Sequence, residues 1–247
     1  MKTNLFRAGA PVQDLKRRSV EAAGVPAFRS FSEGGFTLIE LLVVIAIAVI
    51  ISALLITAGA AVVRKSNINR AISEREQLET AIDNYHSTFG YYPPGNPSGP
   101  LTNQLYYELL GTSTNATGFE TLDGASQISS ATVASTFGVS AFMNCNKGSG
   151  LDDSKPAHTF LPGLKSGEIA SNGDWNIIVT AANSDAGYTP MPGVYSLSGR
   201  PANPWRYVCP GTNNPNGYDL WVQVFVGNKT NLICNWAKQP QLNVPLP

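Results

Sequence analysis

The sequence predicts an α+β protein, in which one long N-terminal α-helix lies on a C-terminal antiparallel β-sheet and a loop-rich insertion separates the two. Three observations carry this. No proline occurs between Pro26 and Pro93, whereas 15 of the 17 prolines lie at Pro93 or later, so only the early part of the chain can sustain a long helix. Residues 36–63 are apolar except for one ionisable side chain, Glu40. Residues 205–209 (W-R-Y-V-C) and 218–226 (Y-D-L-W-V-Q-V-F-V) are rich in β-branched and aromatic residues, the composition of strands.

The 247 residues allow a short N-terminal segment, one membrane helix and one globular domain. Residues 1–35 carry six basic and three acidic side chains, which leaves 11 basic and 14 acidic ones, a balance of −3, for the rest. That balance speaks against a nucleic-acid-binding surface. Basic residues near the two ends of the apolar run are matched: Lys16, Arg17, Arg18 and Arg29 precede it, and Arg64, Lys65, Arg70 and Arg75 follow it. Charge therefore does not orient the segment in a bilayer.

From Phe36 to Phe89 the chain offers 54 residues with a single internal glycine, Gly59, and a continuous helix would be about 81 Å long. Residues 36–63 are long enough to span a membrane, which takes about 20 apolar residues. Within 64–89, Ile68, Ile72, Leu78, Ile82, Tyr85 and Phe89 recur every three to four residues, while Arg70, Glu74, Glu76, Glu79 and Asp83 mostly fall elsewhere. This amphipathic half is expected to pack on a sheet. Gly90 and Tyr91-Tyr92-Pro93-Pro94-Gly95 end it. Residues 103–110 (N-Q-L-Y-Y-E-L-L) read as a short helix stopped by Gly111. Residues 111–190 are rich in Ser, Thr, Ala, Asn and Gly, and only 176–180 (N-I-I-V-T) reads as a strand. Residues 203–237 read as a β-meander with a turn at Gly227-Asn228-Lys229.

The most telling residue is Glu40, because a charge at the centre of a membrane helix costs about 2.5–3.5 kcal/mol on insertion scales and is kept where something pairs with it. On residues alone, a secretory signal peptide is an alternative, with Lys16, Arg17 and Arg18 as its basic region and Ala58-Gly59-Ala60 as its cleavage site. Its apolar region would greatly exceed the usual length of about 7–15 residues, and it gives no reason for Gly34, Gly35 or Glu40.

The run G-F-T-L-I-E-L-L-V-V-I-A-I at 35–47 resembles the processing site and N-terminal helix of type IV pilins and type II secretion pseudopilins. The resemblance implies that residues 1–35 are a leader, cut by prepilin peptidase between Gly35 and Phe36, with N-methylation of the new Phe36 amine. It implies a pilin-like fold and assembly through Glu40. A free α-amine, with a reference pKa of about 7.7–8.0, is a natural counter-charge for Glu40. Phe36 and Glu40 stand at i and i+4 within one chain, but the resemblance favours pairing between the amine of one subunit and Glu40 of its neighbour.

The helix end at 78–94, with Tyr85, Gly90, Tyr92 and Pro93, is similar to that of major pseudopilins, as are Asn203-Pro204-Trp205, Tyr207, Pro210-Gly211 and Gly217-Tyr218-Asp219-Leu220. The implied function is a structural subunit of a type II secretion pseudopilus that supports export of folded proteins. Its partners would be further copies of itself in a helical filament, prepilin peptidase, other pseudopilins and an inner-membrane platform. The protein would sit in the inner membrane with domain 90–247 in the periplasm, then in the periplasmic pseudopilus. The alternatives are a type IV pilus subunit for adhesion, motility or DNA uptake, and a membrane-anchored periplasmic binding or enzymatic domain.

Other chemistry is sparsely represented. Cys145, Cys209 and Cys234 allow one disulfide in any of three pairings, or three free thiols, and form no C-x-x-C. The two histidines, His86 and His158, belong to no nucleophile–base motif, so no catalytic residue and no cofactor is expected. The resemblance places a calcium loop beyond Leu220, but residues 221–247 contain no Asp or Glu. Asp219 alone does not make a site, and Asp152-Asp153 reads as a solvated pair, so no metal is expected.

Overall fold

A computed structural model describes residues 35–146, 155–185 and 187–244, with the side chains of 54–58 and 60 outside the description. Helix α1 runs over Leu38–Phe89 without interruption. It begins two residues later than the sequence suggests, because Thr37 is its N-cap. It ends where expected: the Gly90 amide donates to His86 O at 2.7 Å, and Gly90 takes a φ of +86°, a conformation glycine enters without a Cβ penalty. The chain divides within α1 into a unit up to Ile50 and a unit from Ile51 onward. The expected span 36–63 includes side chains that lie outside the description. Among the described residues no helix is long and apolar enough to cross a membrane.

In the second unit, α1 buries Ala71, Leu78, Ala81, Ile82 and Tyr85, a stripe of helical period. The stripe packs on Tyr207, Leu220, Val222, Val224, Val226 and Ile233, and one continuous core results. The receiving sheet has the order β12-β11-β10-β9, where β9 is Arg206–Val208, β10 Asp219–Val226, β11 Lys229–Cys234 and β12 Gln241–Leu242. All its pairings are antiparallel. Val226 pairs with Lys229, so the β10–β11 turn is the two residues Gly227 and Asn228, at φ +63° and +59°. Two positive φ values match a type I′ turn, whose twist suits a hairpin. Lys229, expected in the turn, is the first residue of β11.

The other face of β10 is also covered. Trp221 meets Trp236 edge-on at 5.8 Å, and Tyr188 stacks on Phe225. Arg75 reaches from α1 to donate to Cys234 O and Ala237 O at 3.0 and 3.3 Å, which ties the helix to the end of β11. The helix stop and the sheet are joined directly. Tyr207 Oη donates to Pro93 O at 2.7 Å, and the Tyr92 ring lies 5.1 Å from Tyr218.

The segment 111–190 is more ordered than its composition suggests. Helix α2, Leu105–Leu110, buries all six of its residues and is stopped by Gly111 at φ +73°. After it come β1 (Thr112–Thr114), β2 (Gly118–Thr121), β3 (Gln127–Ser129), helix α3 (Ser130–Phe137) and β4 (Cys145–Asn146). These strands form a sheet of order β3-β2-β1-β4, in which β1 and β4 are parallel. A third sheet, β6-β5-β7-β8, joins β5 (Ile169–Ser171), β6 (Asn176–Ile178), β7 (Met191–Ser196) and β8 (Pro201–Ala202). Apart from the six-residue β7, these strands have two to four residues, which offer too few alternations for a period to show in sequence. Cys145, Cys209 and Cys234 are not joined by a disulfide in the structure. Asp152-Asp153 lies outside the described residues.

Candidate functional site

The first turn of α1 is built around Glu40. Its Oε2 accepts from the Thr37 amide at 2.8 Å and from Thr37 Oγ1 at 2.8 Å, and the Glu40 amide donates back to Thr37 Oγ1 at 3.3 Å. Thr37 and Glu40 therefore form a reciprocal capping box, T-x-x-E, which satisfies donors that every helix start leaves open. The Leu41 amide closes the first turn on Thr37 O at 3.2 Å. Within this chain the carboxylate is bound to Thr37 and not to Phe36, its neighbour at i+4.

The side chains around it face outward. Phe36 is 83% exposed, and Leu38, Ile39, Leu41, Leu42, Val43, Val44, Ile45, Ile47, Val49 and Ile50 are exposed as well. A helix that is apolar on every side and uncovered by its own chain needs an apolar environment or a partner. At Gly35 a Cβ would meet nothing within 4 Å, so the chain's own packing does not require glycine there.

Two buried carboxylates fix the helix to the rest of the second unit. Glu74 lies inside the buried stripe, not on the solvent side where its charge would place it. It accepts from Thr180 Oγ1 at 2.6 Å and from the Ala181 amide at 3.1 Å, and Arg70 Nε stands 3.3 Å away. Burial pushes its carboxyl above the ordinary range, against the Thr180 and Ala181 hydrogen bonds. Glu108, in the middle of α2, is fully buried. It accepts from the Met143 and Asn144 amides at 2.8 and 2.9 Å and from Tyr85 Oη at 3.0 Å. Burial raises its carboxyl too. Neither role is visible in sequence, since the partners are distant; the one hint for Glu108 is an acid inside an otherwise apolar short helix.

The remaining residues singled out in the sequence have structural surroundings. His86 stacks on Tyr92, with centroids 4.2 Å apart and planes 19° from parallel. His158 is held through its backbone: its amide donates to Asn144 Oδ1 at 2.9 Å, and its carbonyl accepts from Asn144 Nδ2 at 2.6 Å. Asp219 is occupied by N–H donors. The amides and side chains of Asn213 and Asn214 point at its two oxygens from 2.7 to 3.3 Å. This is the surrounding of an anion satisfied by the protein.

Comparison with known proteins locates a family match in the same N-terminal region. Residues 31–56 match the family described as the prokaryotic N-terminal methylation motif. Over 65 residues the chain is 37% identical to the type IV major pilin protein PilE1 of Neisseria gonorrhoeae. That stretch is 26% of this chain and 30% of the gonococcal protein, so the match spans less than a third of the relative's length. No solved structure gives a significant match. The chain is type IV pilin-like, with a prepilin-type N-terminus and an α+β fold.

Proposed function

We propose that this chain is a structural subunit of a helical fibre, cut between Gly35 and Phe36, methylated at Phe36 and assembled through α1. The observation that carries this is the start of α1: a single carboxylate, already ordered by Thr37, in an apolar helix that its own chain leaves uncovered. The exposed apolar side chains suit a bilayer before assembly and the interior of a helix bundle afterwards. The Phe36 amine of an incoming subunit, cationic near neutral pH, would compete with Thr37 for the Glu40 carboxylate of its neighbour. Gly35 fits the cleavage step, because a residue without a side chain leaves the bond to Phe36 open to the approach of the peptidase.

The fibre is a type II secretion pseudopilus in this reading, anchored in the inner membrane with residues 90–247 in the periplasm. The support is the junction of helix stop and C-terminal sheet, where the Tyr92, Pro93, Tyr207 and Tyr218 of the pseudopilin resemblance meet. The role is structural and not catalytic. A type IV pilus is the second reading, favoured by the similarity to the gonococcal major pilin.

Glu40→Gln separates the roles of the carboxylate, because Gln at the third helical position also completes a capping box but carries no charge. The variant is expected to insert and be processed normally, with fibre yield reduced at least about tenfold, equivalent to about 1.4 kcal/mol of lost pairing. Normal fibres from Glu40→Gln would contradict the pairing. Deleting the gene distinguishes the two readings: lost export of folded proteins supports the pseudopilus, and intact export with lost surface fibres supports the pilus.

A further inference from the structure

Three cations lie where the apolar run of α1 ends, and none of them is neutralised by its own chain. Val62 and Val63, the last apolar residues of the run, are exposed, and the exposed Arg64 and Lys65 follow them directly. Arg64 stands two turns before Ala71, on the helix face that is buried further along. There it lies against the β10–β11 turn: a Cβ built on Gly227 would meet Arg64 Nη1 at 3.2 Å and Cδ at 3.3 Å. Lys229, two residues from Gly227 at the start of β11, is exposed and adds its charge to this end of the unit.

Arg64, Lys65 and Lys229 form no ion pair among the described residues. Arg70 and Arg75, the next cations along α1, are by contrast paired with Glu74, Glu76 and Glu79. The carboxylate bonded to the turn is Asp185, whose Oδ2 accepts from the Gly227 amide at 2.6 Å. Three cations against one carboxylate leave a surplus of two positive charges, in a chain whose residues after 35 sum to −3. The surplus comes from two elements distant in sequence, and the packing of Arg64 on Gly227 brings them together.

The place of these cations selects their partner. A free phosphate or an acidic protein could meet the charge, but neither accounts for an exposed apolar helix that stops beside it. A membrane surface answers both, with hydrocarbon for the residues up to Val63 and phosphate immediately beyond. Arg and Lys suit that boundary, because their stems lie along apolar surface while their charged heads reach outward, and a guanidinium matches phosphate with paired N–H donors. We infer that Arg64, Lys65 and Lys229 form a membrane-surface contact that binds the phosphates of anionic phospholipids and holds the β10–β11 turn at the headgroups. The inference rests on reading residues 36–63 as a membrane span.

The test uses the full chain reconstituted in phosphatidylcholine bilayers containing about 30 mol% phosphatidylglycerol. Electron paramagnetic resonance of spin-labelled forms of the two lipids gives the ratio in which they associate with the protein. That ratio is expected to favour phosphatidylglycerol at least about threefold at low salt and to approach one in about 1 M salt, where charges are screened beyond about 3 Å. Lys65→Gln/Lys229→Gln is expected to remove at least about half of the preference with an unchanged unfolding profile, because both side chains are exposed and unpaired. Lys229→Gln alone should lower it too, since that lysine reaches headgroups only if the turn lies there. Glycerol phosphate added at constant ionic strength should leave the ratio unchanged. A chain that restricts lipid with a ratio near one overturns the inference and leaves the membrane span standing. A preference that survives the double substitution, or that soluble glycerol phosphate abolishes, overturns it as well. A chain that restricts no lipid refutes the membrane span and the inference with it.

Discussion

Glu40 and Thr37 show that one side chain can answer two demands that single substitutions can separate. Thr37→Ala removes the cap but leaves the charge. It is expected to destabilise the first turn of α1 by about 1 kcal/mol, roughly a fivefold faster amide exchange at Leu41, while fibres still form. Exchange rates unchanged at Leu41 would mean that the box does not hold the helix start. The pattern T-x-x-E stands in the sequence, so this cap was legible there. Glu74 and Glu108 were not legible, because Thr180 is 106 residues from Glu74 and Asn144 is 36 from Glu108.

Those two carboxyls also set a pH dependence. Burial raises both above the ordinary 4.5, and it raises Glu79 and Asp83 in the same direction. A raised carboxyl binds its proton more tightly in the folded chain than in the unfolded one, so its contribution to stability is full below about 4.5 and is lost as pH rises through the raised value. Stability to urea is therefore expected to fall from pH 5 to pH 7.5, and Glu74→Gln should flatten that slope. A midpoint that rises with pH over this interval would contradict the assignment.

At the scale of elements, long patterns were readable and short ones were not. The stripe from Ala71 to Tyr85, the stop at Gly90 and the eight-residue strand Asp219–Val226 each extend far enough for period, composition and punctuation to agree. The strands β1 to β6, of two to four residues each, do not. The β10–β11 turn gives an element-scale test. Asn228 sits at φ +59°, where a β-branched side chain is strained and glycine is free. Asn228→Val is expected to cost about 1–3 kcal/mol by chemical denaturation, and Asn228→Gly less than about 0.5 kcal/mol. Equal effects of the two substitutions would mean that the turn is not held in the I′ form.

For the whole molecule, the sequence predicted a helix on a sheet, and the structure has that core, with two further sheets of short strands beside it. The proposed assembly chemistry falls in residues 35–50, whereas the buried carboxylates and the meander lie in the second unit. The similarity to known proteins is confined to a minority of the chain. The assembly claim meets its most direct test in the mass and N-terminal sequence of the subunit taken from purified fibres. The account predicts a chain beginning with N-methylated Phe36. A fibre subunit that retains residues 1–35, or a mature chain that begins at Ala61, would contradict it.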